Sequence, residues 1–457
     1  MKHILTLFAV FLMPLLCFAQ KEDYVWVMGY NIIDFNTTPP TVRENGDFTP
    51  ESGLTSICDK NGNLVYWSKG IHLYNKNNEE IFTSKVFSGF HQLNSITLFP
   101  FPGSETNYIL MHLDYNNHII KFTVIDGSED VLQPTFKDFG SIPYNRNTPI
   151  IVQQENSRDF WIINMNEYEL VFNVYSLTSD GLQLNSTYNY DGENFDSYLI
   201  GIEGYWVSNN QSNIVAYMLG REEDLLYLNY SFDNVCGKIT DITVYHEGTE
   251  ILWPCAFSKN DKYLFFVASD FTDGTTAVLY RCPVDKLKEK DALKKYRELV
   301  YYPPLDYYLS VSIKLGPDGN IYFINDSNPE YISVIYNPED DNPIINSNGL
   351  KLAQPNQNNK WVAMFPYTYH YPFGLSYTRD CHDFTFSFSE SEYESIVWNF
   401  GDGTEEVRDV EKPTHTFADD GKYTVSLTVT LTDGIVREYS TDVEITTPKA
   451  PRFIVEE

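Results

Sequence analysis

The chain has 457 residues and sets 32 Lys and Arg against 63 Asp and Glu, a formal net charge of −31. Such an anionic excess repels phosphate backbones and anionic headgroups, which excludes nucleic-acid binding through a basic surface and direct adsorption to anionic lipid. An aromatic content of 16% is far above that of an acidic disordered chain, so the composition is that of an aromatic-rich β protein, long enough for roughly two to four domains.

At the N-terminus, Lys2 and His3 precede an apolar run from Ile4 to Phe18, and Ala19 supplies a small residue before Gln20. This pattern predicts a secretory signal over residues 1–19, cleaved after Ala19. A retained anchor would need about 20 apolar residues, and the run is shorter. A lipoprotein signal would want a small residue before Cys17, where Leu16 is bulky. No later segment is apolar enough to span a bilayer, so the mature protein is expected outside the cytoplasm without direct membrane insertion. It keeps Cys58, Cys236, Cys255, Cys282 and Cys381, an odd and scattered set that is no disulfide framework. Cys58 and Cys255 read as small buried hydrophobes. A Cys236–Cys255 or Cys255–Cys282 bridge stays open. Neither CxxC nor paired-histidine spacing occurs, so zinc has no support.

Residues 20–375 read as short strands between turns. Runs such as Asn63–Trp67, Tyr108–His112, Phe160–Asn164, Tyr263–Val267 and Asn320–Ile324 are rich in β-branched and aromatic residues, and each follows a cluster of Gly, Asn, Asp, Ser or Pro. Anchored on Asn61, Ser104, Asn156, Asn209, Asn260 and Asp318, the clusters recur every 43 to 58 residues. Units of that length with about four strands are the mark of a β-propeller, whose blades must stack to cover their apolar faces. Seven blades are favoured over six or eight, with Tyr24–Asp34 and Trp361–Tyr371 together completing the seventh. A series of β-sandwiches would show a period nearer 90–100 residues.

One stretch breaks the pattern. From Asp285 to Val300 the sequence reads helical, with Leu287, Leu293, Tyr296 and Val300 along one side and six cations within residues 286–297. Either this is a solvated helix bridging two strands, or it is a handle for an acidic partner or a surface glycan. Beside it, Tyr301, Tyr302, Tyr307 and Tyr308 crowd a turn-rich segment. They are the preferred candidates for ligand binding, because tyrosine offers contact area with a polar tip. Packing beneath a blade is the plainer reading of the same residues.

Around Leu375 the period stops. Phe384–Phe388 alternates, and Ile396–Thr404 runs into a Gly-Asp-Gly turn. Thr414–Phe417 and Gly421–Val429 follow. These features predict a small Ig-like sandwich over residues 376–447, with Trp398, Phe400, Tyr423 and Leu427 in its core and residues 448–457 as a tail. Asp402 should brace the turn by accepting backbone N–H bonds, while Gly401 and Gly403 supply its unusual backbone angles. Trp398-x-Phe400-Gly401-Asp402-Gly403, then His415-x-Phe417 and Gly421-x-Tyr423-x-Val425, strongly resembles the PKD domain. That resemblance implies an extracellular spacer or binding module with no catalytic residues to carry over.

The opening of the repeat region has a resemblance too. Met28–Asn36, Ser56–Gly70 and His72–Asn77 look like the start of large surface proteins in which a propeller precedes a PKD domain. Those proteins belong to Gram-negative bacteria with type IX secretion, often gliding ones. They commonly continue into a sorting domain, whereas here about ten residues follow the last expected strand. The expectation is therefore an extracytoplasmic protein of a Gram-negative bacterium, periplasmic, secreted or joined to the cell surface within a complex, or else the product of a shortened gene.

A catalytic propeller is the competing reading of these features. Sialidase-type boxes are not matched by Ser258–Leu264 or Gly316–Tyr322, and neither a nucleophile elbow nor a phosphate loop occurs. With 63 carboxylates some acidic pair always imitates a glycosidase dyad, so pairing by eye decides nothing. Asp59–Asn63 and Asp270–Thr275 cluster oxygen side chains around a glycine and suit calcium, but they fit hairpin turns equally. No cofactor is otherwise implied. The expected function is that of an exported, non-catalytic binding or scaffold protein. Its partner would be an envelope protein complex or, for an adhesin, an extracellular glycan, and a propeller-fold hydrolase or lyase is the remaining alternative.

Overall fold

A computed structural model describes residues 21–46, 54–84, 96–128, 130–144, 149–154, 159–166, 171–190, 199–208, 213–220, 225–246, 250–270, 277–289, 291–302, 309–325, 329–355, 375–380, 383–388, 393–431 and 436–445. The expected signal and C-terminal tail lie outside them. The chain divides into two compact units, Gln20–Phe373 and Gly374–Glu457.

Among the described residues, the first unit holds seven antiparallel sheets, each with its strands in chain order. They cover residues 25–44, 55–83, 96–143, 150–189, 199–246, 250–301 and 309–351, named here blades 1 to 7. Each seam between neighbouring blades has its own apolar cluster, because a sheet in this unit is apolar on both faces. Val27 meets Trp67 across seam 1/2, and Tyr66 meets Tyr108 at 5.5 Å across seam 2/3. Phe99 packs on Phe160 at 5.0 Å and Phe172 on Tyr230 at 5.4 Å across the next two seams. Val215 joins Phe266, and Phe265 joins Phe323. Finally Tyr322 of blade 7 meets Trp26 of blade 1 at 5.6 Å, so the sheets form a closed ring. A side-chain clasp reinforces that last seam. Asn31 Nδ2–H donates to the Gln354 carbonyl and Asn31 Oδ1 accepts the Gln354 N–H, both at 3.0 Å.

The turn clusters that set the period are the first hairpins of blades 2 to 7. Each is closed by an equivalent backbone bond: Asp59 to Asn63, Phe101 to Asn107, Gln154 to Asp159, Ser208 to Asn213, Ser258 to Tyr263 and Gly316 to Asn320, at 2.8–3.0 Å. Asn156 and Asn209 themselves lie outside the described residues. Blade 1 has three strands among the described residues, and its first, Val25–Met28, runs antiparallel to the first strand of blade 2. The Cys58 N–H donates to the Glu22 carbonyl at 2.8 Å while Ser56 Oγ–H donates to that of Val25. The expected contribution of Trp361–Tyr371 falls outside the described residues.

Because strands alternate in direction, the first and third hairpin loops of every blade share one face of the disc. The segment between the third and fourth strands of blade 6 is therefore on the anchor-turn face. The long helix expected there is not formed. A 3₁₀ turn at Val284–Lys286 and one α-turn at Ala292–Lys295 are followed by the strand Glu298–Tyr301. Sheet pairing overrides local helix preference, since Tyr280 pairs with Leu299 and Arg281 with Glu298 to complete the blade.

The second unit is a two-sheet sandwich. Asp383–Phe388 pairs with Leu375–Asp380 and Thr414–Thr416 in one sheet. The other runs Val407–Arg408, Tyr393–Asn399, Gly421–Leu431, Val436–Ile445. Phe384 and Phe386 face Trp398, Phe400, Leu427 and Val443 across the core, with Tyr423 half-buried at its margin.

Candidate functional site

The blade 6 insertion, residues 284–297, is a projecting element with a rigid base. Leu287, Ala292 and Leu293 are fully buried in the cluster between blades 5 and 6, where Tyr280, Val284 and Tyr296 pack on them. Asn229 Nδ2–H of blade 5 donates to the Leu287 carbonyl at 3.3 Å. On the outer side, Glu289 gathers the Lys286 and Lys295 ammonium groups and the Tyr296 hydroxyl, which together hold its carboxyl below the usual range, the hydroxyl most strongly. Arg297 stacks its guanidinium on Tyr280 at 4.6 Å. Lys288 and Lys294 are exposed and make no ion pair among the described residues.

Beyond this insertion the strand Glu298–Tyr301 carries the chain on, with Tyr301 as its last residue and Tyr302 just after it. Tyr301 is half-buried in seam 6/7, its ring 5.4 Å from that of Phe323, so the packing reading holds for it. Tyr302 is 53% exposed at the far end of the strand. Tyr307 and Tyr308 lie outside the described residues.

Two cations that the sequence reading passed over sit in the seams. Arg281 is 5% exposed between blades 6 and 7. Its Nε–H donates to Glu298 Oε2 at 2.8 Å, Nη1 to the Asp340 carbonyl at 2.6 Å and Nη2 to that of Asp341 at 2.8 Å, while its plane covers Tyr263 at 4.0 Å. Lys262 extends this clasp by donating to the Glu339 carbonyl at 2.8 Å. Lys314, on the first strand of blade 7, places Nζ 5.1 Å over the Trp26 ring of blade 1. It keeps part of its surface open, yet the protein packed around it lowers the ammonium to about 7, against an opposing pull from Asp23. On that strand it stands between the buried Ile313 and Leu315.

Cys58, Cys255 and Cys282 are buried and unbridged, with thiols pushed up by burial, that of Cys282 to about 12. Cys236 is free and exposed, so neither bridge left open by the sequence is formed; Cys381 lies outside the described residues. At Asp59–Asn63 the carboxylate is turned onto its own loop. Oδ1 accepts the N–H groups of Asn61 and Asn63 at 2.9 Å, and Oδ2 accepts Asn63 Nδ2–H at 3.0 Å. Most of Asp270–Thr275 is outside the described residues, among which no three His, Cys, Asp or Glu side chains converge as metal ligands.

In the second unit, Asp402 Oδ1 accepts Thr404 N–H at 3.1 Å and Thr404 Oγ1–H at 2.6 Å, and Oδ2 lies 2.7 Å from His415 Nε2. The His415 ring stacks on Phe400 at 4.0 Å, and Trp398 Nε1–H donates to the Val410 carbonyl at 2.8 Å. Gly401, at φ 74°, leaves no room for a side chain, since a Cβ would sit 2.3 Å from the Thr424 carbonyl oxygen.

These features define a seven-bladed β-propeller followed by an Ig-like sandwich. Residues 378–447 match the family model of the PKD domain, so the chain combines a propeller with a PKD domain. Similar solved structures include the PKD1 domain of Vibrio anguillarum Epp, at 24% identity over 16% of this chain and 90% of that one, TM-score 0.15. A protein from Lactobacillus plantarum is similar at 10% identity over 76% and 99%, TM-score 0.40. The extracellular domain of a hybrid two-component system from B. thetaiotaomicron is similar at 14% identity over 93% and 56%, TM-score 0.31. No curated protein matches the chain. No helix among the described residues is long and apolar enough to cross a membrane.

Proposed function

We propose that this chain is an exported, non-catalytic binding and scaffold protein of the bacterial cell envelope, an accessory subunit that docks through its propeller disc. The observation that carries this reading is the blade 6 insertion. Three buried apolar residues hold it rigid, and it holds lysines out to solvent from a chain whose net charge is −31. A surface ordered in advance binds without the entropic cost of arranging itself. Several of the ionisable groups displaced from their ordinary values have a packing role. Tyr66, Tyr108, Tyr230 and His112 are all enclosed between blades, where they pack. Carriage to the surface of a gliding, type IX-secreting bacterium rests on the resemblance of residues 24–82 and on the PKD domain.

Affinity recovery of a tagged full chain from envelope fractions tests the proposal. A stable, stoichiometric protein complex is the expected result. Recovery of free protein that instead binds glycan arrays would make it an adhesin. Hydrolysis of a polysaccharide by the purified chain, lost on replacing one carboxylate, would overturn both.

A further inference from the structure

We propose that the blade 6 insertion is the docking surface for an acidic segment of a partner protein, one that sets carboxylates against Lys288 and Lys294 and an apolar side chain against Leu299. This deepens, and rests on, the reading of the chain as an envelope interaction subunit. Three observations meet here. Lys288 and Lys294 make no ion pair among the described residues, while Asp285 and Glu289 are engaged by Lys286 and Lys295 and Glu298 by Arg281, leaving the exposed Asp291 as the one neighbouring carboxylate of the insertion without an ion pair among them. Leu299 is 62% exposed and stands across the strand pair from Tyr280, whose ring packs on the cluster that anchors the insertion. The underside is fixed by Leu287, Ala292 and Leu293, so the patch is presented in one arrangement. An acidic polysaccharide would satisfy the lysines but leave Leu299 in water, whereas a protein segment covers both kinds of surface.

The test measures binding of the full chain to an immobilised Glu-rich peptide with interspersed Leu, to an all-Glu peptide and to polygalacturonate. The Leu-containing peptide should bind most tightly. The double variant Lys288→Glu/Lys294→Glu should weaken both peptides about tenfold, and Leu299→Ser should weaken only the Leu-containing one, by about threefold. Ile344→Ser, at a residue of blade 7 that is 60% exposed, should change neither. All these positions are on the surface, so the variants fold. Unchanged affinity in the lysine variant, equal binding of polygalacturonate that ignores Leu299, or no binding of any acidic probe by the wild type would each overturn the proposal. The envelope complex separates its failure from that of the function. If the lysine variant is recovered in the complex as well as the wild type, only the docking surface is wrong; if the wild type forms no complex, the subunit reading is wrong.

Discussion

Two seams of the ring enclose a cation, and they accommodate it differently. Between blades 6 and 7 the Arg281 guanidinium is almost wholly buried, yet its fork meets a carboxylate, two main-chain carbonyls and a tyrosine face. Between blades 7 and 1 the Lys314 ammonium has an indole face below it, and burial lowers it to about 7. A guanidinium is weakly hydrated and planar, so several aimed acceptors replace its water; an ammonium is a compact, strongly hydrated charge that gives up more on burial. The first cation therefore holds its seam together through aimed acceptors, while the charged form of the second is disfavoured by burial in spite of the pull of Asp23.

Opposite signs of effect follow on substitution. Arg281→Ala should destabilise the propeller by about 4 kcal/mol, because Glu298 and two carbonyls lose their donor and Tyr263 its cover. Lowered melting by circular dichroism checks this, and a change within experimental scatter would mean that water replaces the clasp. Lys314→Met should instead stabilise, by about 3 kcal/mol near neutral pH. A lysine whose folded pKa is lowered to about 7 binds fewer protons than its unfolded counterpart between about 7 and 10.5, so wild-type stability should rise with pH across that window. The methionine variant should lose that rise. If it melts below the wild type, the contrast between the seams fails.

These cations were illegible in the sequence for a topological reason. Arg281 meets Asp340 and Asp341 about sixty positions away, and the Asn31–Gln354 clasp joins residues 323 apart. A period reveals that blades exist, not which side chains meet across their seams. What repeats locally was legible: the six turn clusters are the six first hairpins, and their closing bonds span only four to six residues. The second unit was readable residue by residue, since Trp398, Phe400, Asp402, His415 and Phe417 form its turn and core within twenty positions. The helix over 285–300 misled because alternate apolar residues there serve two elements, with Leu287 and Leu293 anchoring a loop and Val300 and Tyr301 filling a seam.

A neutral group in a third seam sharpens the comparison. His112 lies between blades 2 and 3, its Nε2 3.1 Å from Thr123 Oγ1 and its ring edge-on to Phe82 at 5.2 Å. Burial, aided by the Lys121 ammonium and opposed by Asp114 and Asp138, presses the imidazole down to about 4. The unfolded chain takes up a proton near 6.5 and the folded one near 4, so stability should fall as pH drops through that interval, by about 2 kcal/mol at pH ~5. His112→Gln should flatten this part of the profile; a slope unchanged in the variant would assign the acid sensitivity elsewhere.

The smallest effect belongs to the PKD domain, where a carboxylate rather than a cation is enclosed. Burial works to raise the Asp402 carboxyl, but Thr404 and His415 outweigh it and hold it below its ordinary value. Its contribution is present above the unfolded carboxylate range and disappears as pH falls through the lower folded value, the same direction of pH dependence as for the lowered lysine, although here a favourable interaction is lost rather than a burial penalty incurred. Asp402→Asn keeps the acceptor for Thr404 but gives up the charge facing His415, and should cost about 1 kcal/mol. Because Trp398 lies in the same core, its fluorescence on denaturation reads this unit, and a loss as large as that at Arg281 would show that the turn governs the whole sandwich.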